Sequence, residues 1–264
     1  MSIAATRPLS TVTEARPRRR LRFNVRKAVS VALILVAWQL LVSMGRINAL
    51  FLPAPASVLV AGWDMIRSGD LPWAVLVSLN RIVQGFAYGA VVGVALGLLA
   101  GAIRWVEDVL DPWVAAMYPI PKSALFPLFL LWFGLGNTSK IVTIAVGVVF
   151  LVLINTVTGV KAINPLLIKA ARDLGASRAQ VFVKVILPGA LPNIFTGLRL
   201  GAGMALILVF ITEIEATKAG LGFLLWEAFQ LMDTTRVFVG VVTFGVLGMA
   251  ASWALQWLER VCCP

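Results

Sequence analysis

Few side chains in this 264-residue sequence have the chemistry of a catalytic or metal site. It contains no histidine, and its only two cysteines, Cys262 and Cys263, are adjacent. The usual general base and the commonest metal ligand are therefore missing, and two neighbouring cysteines are too few to hold a metal ion. We predict no catalytic residues, no metal site and no cofactor bound by this chain. A membrane-embedded hydrolase is not favoured.

The side chains best suited to a binding role lie in the sequence KAARDLGASRAQVFVKVILPGALP. Asn164 and Pro165, just before it, are typical of the start of a helix. Gly175 can adopt the left-handed conformation that ends a helix. Ser177 and Gln180 stand at the spacing of a capping box, which predicts a second short helix. The pattern therefore predicts two helices joined at a glycine corner.

This helical segment is also unusually charged, and Pro188 terminates its second helix or bends it into the following apolar run. Its charged side chains are Lys169, Arg172, Asp173, Arg178 and Lys184. Two interpretations stay open from the pattern alone. The segment is either a docking surface for another protein or a basic loop at the membrane surface that happens to be helical.

The elements that position these residues are membrane helices. The chain is 60% hydrophobic and 13% charged, whereas a soluble domain has about 45–50% apolar and about 25% charged residues. Since a spanning helix needs about 20 mostly apolar residues, we predict an all-α integral membrane protein with six transmembrane helices and no separate soluble domain. The predicted spans are at about 28–46, 78–103, 113–134, 140–160, 190–212 and 236–258.

Basic residues predict the orientation of these helices. Eight of the 23 lysines and arginines lie in the first 27 positions, which by the positive-inside rule predicts a cytoplasmic N-terminal tail, 1–27. Alternation then makes 47–73 an extracytoplasmic loop and puts both 161–188 and the C-terminal tail, 259–264, in the cytoplasm. The tail could also contact anionic lipid. A basic start before an apolar run is also typical of a signal peptide, but about eighteen apolar residues favour an uncleaved span.

Glycines mark one of the spans, and prolines interrupt another. The second span has a glycine at every fourth position, which lines one helix face and favours close packing with a neighbouring helix; these are Gly85, Gly89, Gly93, Gly97 and Gly101. In the third span, Pro119, Pro121 and Pro127 interrupt helical hydrogen bonding. A broken helix either lines a transport pathway or is a buried kink. Lys122, in the same span, is a candidate pathway residue unless its side chain reaches the interface.

Other charged residues near the spans suggest ion pairs. Arg81 is near the outer end of its span, where Glu213 and Glu215 also end the fifth span. We predict that Arg81 forms a structural pair with one of these acids or with a backbone carbonyl, with a substrate contact as the alternative. Arg199 either faces the pathway and attracts an anion or extends to the membrane interface.

The stretch KAARDLGASRAQVFVKVILP resembles the EAA loop of ABC-importer permeases, whose pattern is Glu-Ala-Ala, three residues, Gly, nine residues and Ile-x-Leu-Pro. Lys169 replaces the glutamate and Val185 replaces the isoleucine. Further stretches within about residues 50–258, such as YPIPKSALFPLFLLWFGLGNTSK and GLGFLLWEA, look like the nitrate/sulfonate/taurine branch of those permeases. The charge reversal at Lys169 puts any specific ion pair of that position in doubt.

The resemblance implies a type I (MetI-like) importer permease of the bacterial inner membrane. It further implies a second permease subunit, expected as a homodimer, and an extracytoplasmic substrate-binding protein. ATP would be used by a separate cytoplasmic ATPase, since the sequence has no G-x-x-x-x-G-K-[ST] phosphate loop. The residues implied in coupling to that ATPase are Lys169, Ala170, Ala171, Asp173, Gly175 and Pro188.

The transported solute and one competing class stay open. Sulfonates, taurine, nitrate, bicarbonate and vitamin precursors are all carried by this branch, and the net charge of +11 does not choose among them because most of it follows from membrane orientation. The alternative is an ion-coupled secondary transporter. Such a protein should have carboxylates at the membrane midplane, whereas the acids of this chain gather near the ends of the spans. An importer permease is the favoured function.

Overall fold

The computed structural model of the protein describes residues 25–48 and 50–262, so most of the predicted basic tail (1–27), and Cys263, lie outside the described residues. Every regular element in this range is a helix. The helices are α1 (Val25–Ser43), α2 (Pro55–Ser68), α3 (Asp70–Ala102), α4 (Arg104–Met117), α5 (Phe126–Phe133), α6 (Asn137–Lys161), α7 (Pro165–Asp173), α8 (Arg178–Val181), α9 (Leu187–Ala216), α10 (Leu221–Gln230) and α11 (Thr234–Cys262).

Four helical stretches in the described range are long and apolar enough to cross a membrane. They are α3, α6, α11 and the continuous helix Arg178–Ala216, which joins α8 to α9. A fifth span is broken, since α4 and the residues Lys122–Phe133 meet at a bend of 91°. The predicted first span corresponds to α1, whose apolar part, Ala32–Ser43, is shorter than the others. The first span, and with it the total of six, therefore stays a prediction.

The segment predicted as a loop at 47–73 contains the helix α2, and α3 already begins at Asp70 rather than near 78. Pro55 is in the first turn of α2, and Gly69, with φ of 86°, ends it in the left-handed conformation. α2 is amphipathic, and Val58 and Met65 on its buried face pack in a cluster with residues of α3, α10 and α11. Its exposed face carries the charged Asp64 and Arg67 beside large apolar side chains such as Leu59 and Trp63.

The glycine stripe of α3 brings that helix into close contact with α6. A methyl group added at Gly85 would lie 2.6 Å from Ile144 Cβ, and one added at Gly93 would lie 2.8 Å from Val152 Cβ. Successive glycines face successive turns of α6, so the two helices run in the same direction. The stripe therefore has the packing role that the spacing predicts.

An adjacent face of α6 packs against α9, which runs in the other direction. Gly201 of α9 contacts Val148, and Gly197 contacts Asn155. The centre of the bundle is an apolar cluster of fully buried side chains from these two helices, namely Ile144, Val148, Val152, Ala205, Leu208 and Val209. α3, α6 and α9 thus form one tightly packed unit.

The directions of these helices define two ends of the bundle. The basic end holds the last residues of α3 and α6 together with α7 and α8, and the ion pair of Lys161 with Glu107 links α6 to α4 there. The opposite end holds the first residues of α3 and α6, the end of α9, and α10.

Candidate functional site

The segment 161–188 at the basic end has the predicted shape of two helices and a glycine corner. The Asn164 side chain accepts a hydrogen bond from the Leu166 amide at 2.9 Å and caps α7. Gly175 has φ of 83°, and the capping box of Ser177 and Gln180 starts α8. These three predictions are confirmed.

The second helix does not stop at Pro188. A π-helical turn, Phe182–Ile186, follows α8, and Pro188 lies in the first turn of α9. The segment therefore continues without interruption into a membrane span. The predicted termination at Pro188 is wrong, and the alternative, a bend into the following apolar run, stays a prediction.

The surface of α7 and its corner is apolar and exposed. Leu166, Leu167 and Leu174 are all exposed, and Leu174 keeps 88% of its accessible surface. Lys169 and Ala170 are also exposed, and Ala171 is half-buried. Large leucines exposed on a charged segment outside the spans are typical of a surface that another protein covers.

At the opposite end, Arg81 and Glu213 form a buried ion pair. The distance between Arg81 Nη1 and Glu213 Oε1 is 2.7 Å, and the two residues are 5% and 0% exposed. Ser78 Oγ and the Gly222 amide also donate to this carboxylate, each at 2.8 Å. Glu215, the other acid named as a partner, is exposed. Of the two acids, Glu213 is therefore the partner of Arg81.

The same arginine joins two further elements to the pair. Its Nε donates to Asn137 Oδ1 of α6 at 2.9 Å, and its Nη1 donates to the Ala219 carbonyl at 2.9 Å. Gly220, with φ of 120°, passes so close to the carboxylate that an added methyl group would lie 2.4 Å from Glu213 Cδ. This cluster ties α3, α6, α9 and α10 together and is structural.

The sequence prediction missed Ser78, Asn137 and Gly220. A signal for Ser78 exists, because it lies with Arg81 on the buried face of α3 that carries the glycine stripe. For Asn137 and Gly220 we find no comparable signal, since they meet Arg81 and Glu213 only through the tertiary fold.

The broken span places a lysine inside the bundle. α4 ends at Met117, and Lys122 Nζ donates to the carbonyls of Met117, Tyr118 and Ile120 at 2.8, 3.0 and 2.7 Å. Lys122 is 9% exposed, so its side chain does not extend to an interface. Its ammonium group instead satisfies carbonyls that the break leaves without helical partners.

The three prolines of this span differ in their effect. Pro119 and Pro121 lie in the break between α4 and α5, where they cannot donate backbone hydrogen bonds. Pro127 lies in the first turn of α5 and interrupts nothing. The predicted interruption is therefore correct for the first two prolines and wrong for Pro127.

A cavity of about 360 Å³ lies beside this break. The residues that line it come from the break, α6 and α9 and include Tyr118, Pro119, Lys122, Gly147, Phe150 and Met204. Arg199, the other predicted pathway cation, is not among its lining residues. It pairs with Glu259 of α11 and donates to Thr196, so its charge is already neutralised.

Comparisons with known proteins agree with this architecture. The model of the family described as binding-protein-dependent transport system inner membrane component matches residues 93–261. The putative aliphatic sulfonates transport permease protein SsuC of Bacillus subtilis is 37% identical over 229 residues, which cover 87% of this chain and 83% of that protein. The taurine transport system permease protein TauC of Escherichia coli is 35% identical over 240 residues, covering 89% and 87%. The nitrate import permease protein NrtB of Synechocystis is 30% identical over 249 residues, covering 91% and 90%.

Solved structures show the same fold. A chain of the inward-facing MetNI methionine ABC transporter superposes with a TM-score of 0.60 at 21% identity, covering 76% of this chain and 97% of that one. A chain of an amino acid ABC transporter superposes with a TM-score of 0.58 at 20% identity, covering 71% and 91%. These comparisons confirm the type I (MetI-like) fold and the resemblance to importer permeases, and they give no support to an ion-coupled secondary transporter. The chain belongs to the family of binding-protein-dependent transport system inner membrane components and is a permease subunit of the ABC-importer type.

Proposed function

We propose that this permease forms the membrane path of an importer for small sulfonates and is driven by a separate ATPase that docks on the 161–188 segment. The observation that carries the proposal is the exposed leucine surface of α7, which ends at the left-handed Gly175. A groove on a partner protein could cover this surface and hold the corner. We assign Lys169, Ala170, Ala171 and Asp173 to the same docking surface.

The connection of this segment to α9 supports a coupling role. α8, the π-helical turn and α9 form one continuous helix, Arg178–Ala216. α9 packs along α6 and carries Glu213 in its last turn, where the carboxylate accepts hydrogen bonds from α3 and α10. A tilt imposed on the docked segment would therefore be passed as a rigid-body movement to the opposite end.

Sulfonates are the favoured solute class because two of the relatives reported above are named for aliphatic sulfonates and for taurine. A third is named for nitrate import. Sulfonates and nitrate are small oxyanions with delocalised negative charge, and taurine carries a sulfonate group. A small oxyanion group is thus the feature that a shared path would have to accommodate.

We further propose the assembly and the orientation. A second copy of this chain would complete the path, and a substrate-binding protein would deliver the solute to the opposite end. The basic end would face the cytoplasm of a bacterial cell, since positive residues are retained on that side of the inner membrane. The family's description as a binding-protein-dependent system supports the delivery step.

The docking proposal is tested by placing a charge on the leucine surface. Leu174→Asp should abolish co-purification of the ATPase and uptake of labelled ethanesulfonate by the reconstituted transporter, because a carboxylate would be buried without a partner at the contact. Leu231→Asp is the matched control, since Leu231 is also exposed, at 69%, but lies at the opposite end. That variant should retain the ATPase.

Two results would contradict the proposal. Leu174→Asp could retain the ATPase as well as Leu231→Asp does, which would move the docking site elsewhere. Ethanesulfonate uptake by the permease without any ATPase would remove the coupling role altogether.

A further inference from the structure

Lys122 carries an unneutralised charge into the interior of the protein. Among the described residues, no carboxylate lies within ion-pair distance of its ammonium group. Arg81 and Arg199 differ, because they pair with Glu213 and Glu259. Lys140 is also buried and donates to the Leu135 and Gly136 carbonyls, but it is not among the residues that line the cavity beside Lys122. The three carbonyls around Lys122 Nζ satisfy its N–H groups but do not cancel its charge. A buried charge within a membrane span is costly and for that reason is usually functional.

The cavity beside Lys122 has room for a small solute. Its volume of about 360 Å³ is within the roughly 300–1,000 Å³ that is usual for ligand pockets. Among the described residues that line it, Lys122 is the only charged one, and none is a carboxylate. Phe150 lies opposite the ammonium group, with its ring centroid 5.0 Å from Nζ. The cavity therefore combines apolar and aromatic walls with one positive charge.

A second cavity in the membrane region provides a natural comparison. It has nearly the same volume, about 350 Å³, and is also lined by α6, but on another face of that helix. Its described lining residues include Gln84, Tyr88, Thr138, Val142, Val146 and Val149, and none of them is charged. Of these two cavities, only the one at the break has a positively charged lining residue.

We propose that the Lys122 cavity is a subsite for the anionic sulfonate group of the solute as it crosses the membrane, an inference that rests on the proposed function. A positive charge in a medium of low dielectric constant attracts an anion over several ångströms. The Met117, Tyr118 and Ile120 carbonyls compete with the anion for the N–H groups of Lys122. This competition keeps the subsite weak, as a transport path requires, because a solute that binds too tightly cannot leave.

The charge of the cavity can be measured without any transport. In a full-length chain with Cys262 and Cys263 replaced by serine, a single cysteine is placed in the Lys122 cavity by Met204→Cys or in the uncharged cavity by Val146→Cys. Each variant, in lipid nanodiscs, is treated with sulfonatoethyl methanethiosulfonate, which is anionic, and with the cationic trimethylammonioethyl reagent. The ratio of the two reaction rates removes differences in thiol reactivity.

We expect the anionic-to-cationic rate ratio to be at least about tenfold higher at position 204 than at 146. The reason is that the Lys122 charge attracts the anionic reagent and repels the cationic one. Lys122→Met should remove this difference, and Lys122→Arg should retain it. Equal ratios at the two positions with Lys122 present would overturn the proposal and would mean that Lys122 only caps the broken helix. This comparison needs no Lys122 variant, so it stands even where Lys122→Met fails to fold.

Transport separates this inference from the proposed function. In the complete transporter, Lys122→Met should lower ethanesulfonate uptake per ATP hydrolysed by about tenfold, while Lys122→Arg stays near wild type. If the wild-type transporter takes up ethanesulfonate and Lys122→Met equals it, the subsite is refuted and the proposed function stands. If the wild type takes up no sulfonate although the rate ratio at 204 is high, the proposed solute class fails and the anion cavity stands.

Discussion

The ion pair of Arg81 and Glu213 provides the sharpest prediction about stability. Glu213→Gln retains the volume of the side chain but removes its charge. The carboxylate accepts hydrogen bonds from Ser78, Arg81 and the Gly222 amide at 2.7–2.8 Å. A glutamine side chain presents an NH₂ group toward one of these donors. Arg81 would then stay buried without a counterion, close to the buried Lys140, with which it interacts electrostatically.

The expected cost follows from this geometry. Removing one partner of a buried ion pair typically destabilises a protein by about 3–5 kcal/mol, because the other charge is left uncompensated. Arg81 retains its bonds to Asn137 and Ala219, which places the expected loss of unfolding free energy near the lower limit, about 3 kcal/mol. At roughly 2–4 °C per kcal/mol, the melting temperature should fall by about 6–12 °C.

The assay is thermal unfolding of the full chain in detergent or nanodiscs, with Glu215→Gln as the matched control. Glu215 lies two residues away on the same helix and is exposed, so its variant should stay within about 0.5 kcal/mol of wild type. A double-mutant cycle with Arg81→Met should give a coupling energy of about 2 kcal/mol. Equal melting temperatures for the Glu213 and Glu215 variants, or additive effects in the cycle, would refute the reasoning.

Three further predictions concern glycines and the docking surface. Gly93→Ala should destabilise the protein by about 2 kcal/mol through overpacking, because its methyl group would lie 2.8 Å from Val152 Cβ and 2.9 Å from the Val149 carbonyl. Gly203→Ala is the control, because its methyl group would meet open space. That variant should stabilise the protein by about 0.5–1 kcal/mol in the same unfolding assay. Gly175→Ala and Gly69→Ala should each cost about 1 kcal/mol because both glycines have positive φ and free space around them, yet only the Gly175 variant should lower ATPase-coupled uptake. Lys169→Glu should weaken ATPase binding about tenfold at low salt and less at high salt, as expected for an exposed charge at an interface; binding that does not depend on salt would place Lys169 outside the contact.

The local features of the 161–188 segment could be predicted because their causes are local. An asparagine cap, a capping box and a left-handed glycine act within one helical turn. The main spans could be predicted for a similar reason, since their apolar runs exceed the length that lipid requires. α2 could not, because its helical character depends on the burial of Val58 and Met65 against other helices.

The choice between Glu213 and Glu215 needed the tertiary structure. Successive residues of an α-helix are about 100° apart, so the two side chains point about 160° away from each other. One acid must face α3 when the other faces outward, but the sequence does not say which. The decision comes from how α9 is rotated against α6, which depends on contacts such as Gly201 with Val148.

Lys122 shows why the broken span was harder to predict than the 161–188 segment. The sequence left two alternatives for this side chain, a pathway position or an extension to the membrane interface, and neither connects Lys122 to the carbonyls that the broken helix leaves unpaired. In the structure the 91° bend between α4 and the following helical residues frees carbonyls, and Lys122 binds three of them. The bend therefore creates both the need for a cation inside the bundle and the cavity that this cation faces. The structural and the binding role of Lys122 have the same cause, so only a measurement of charge within the cavity can separate them.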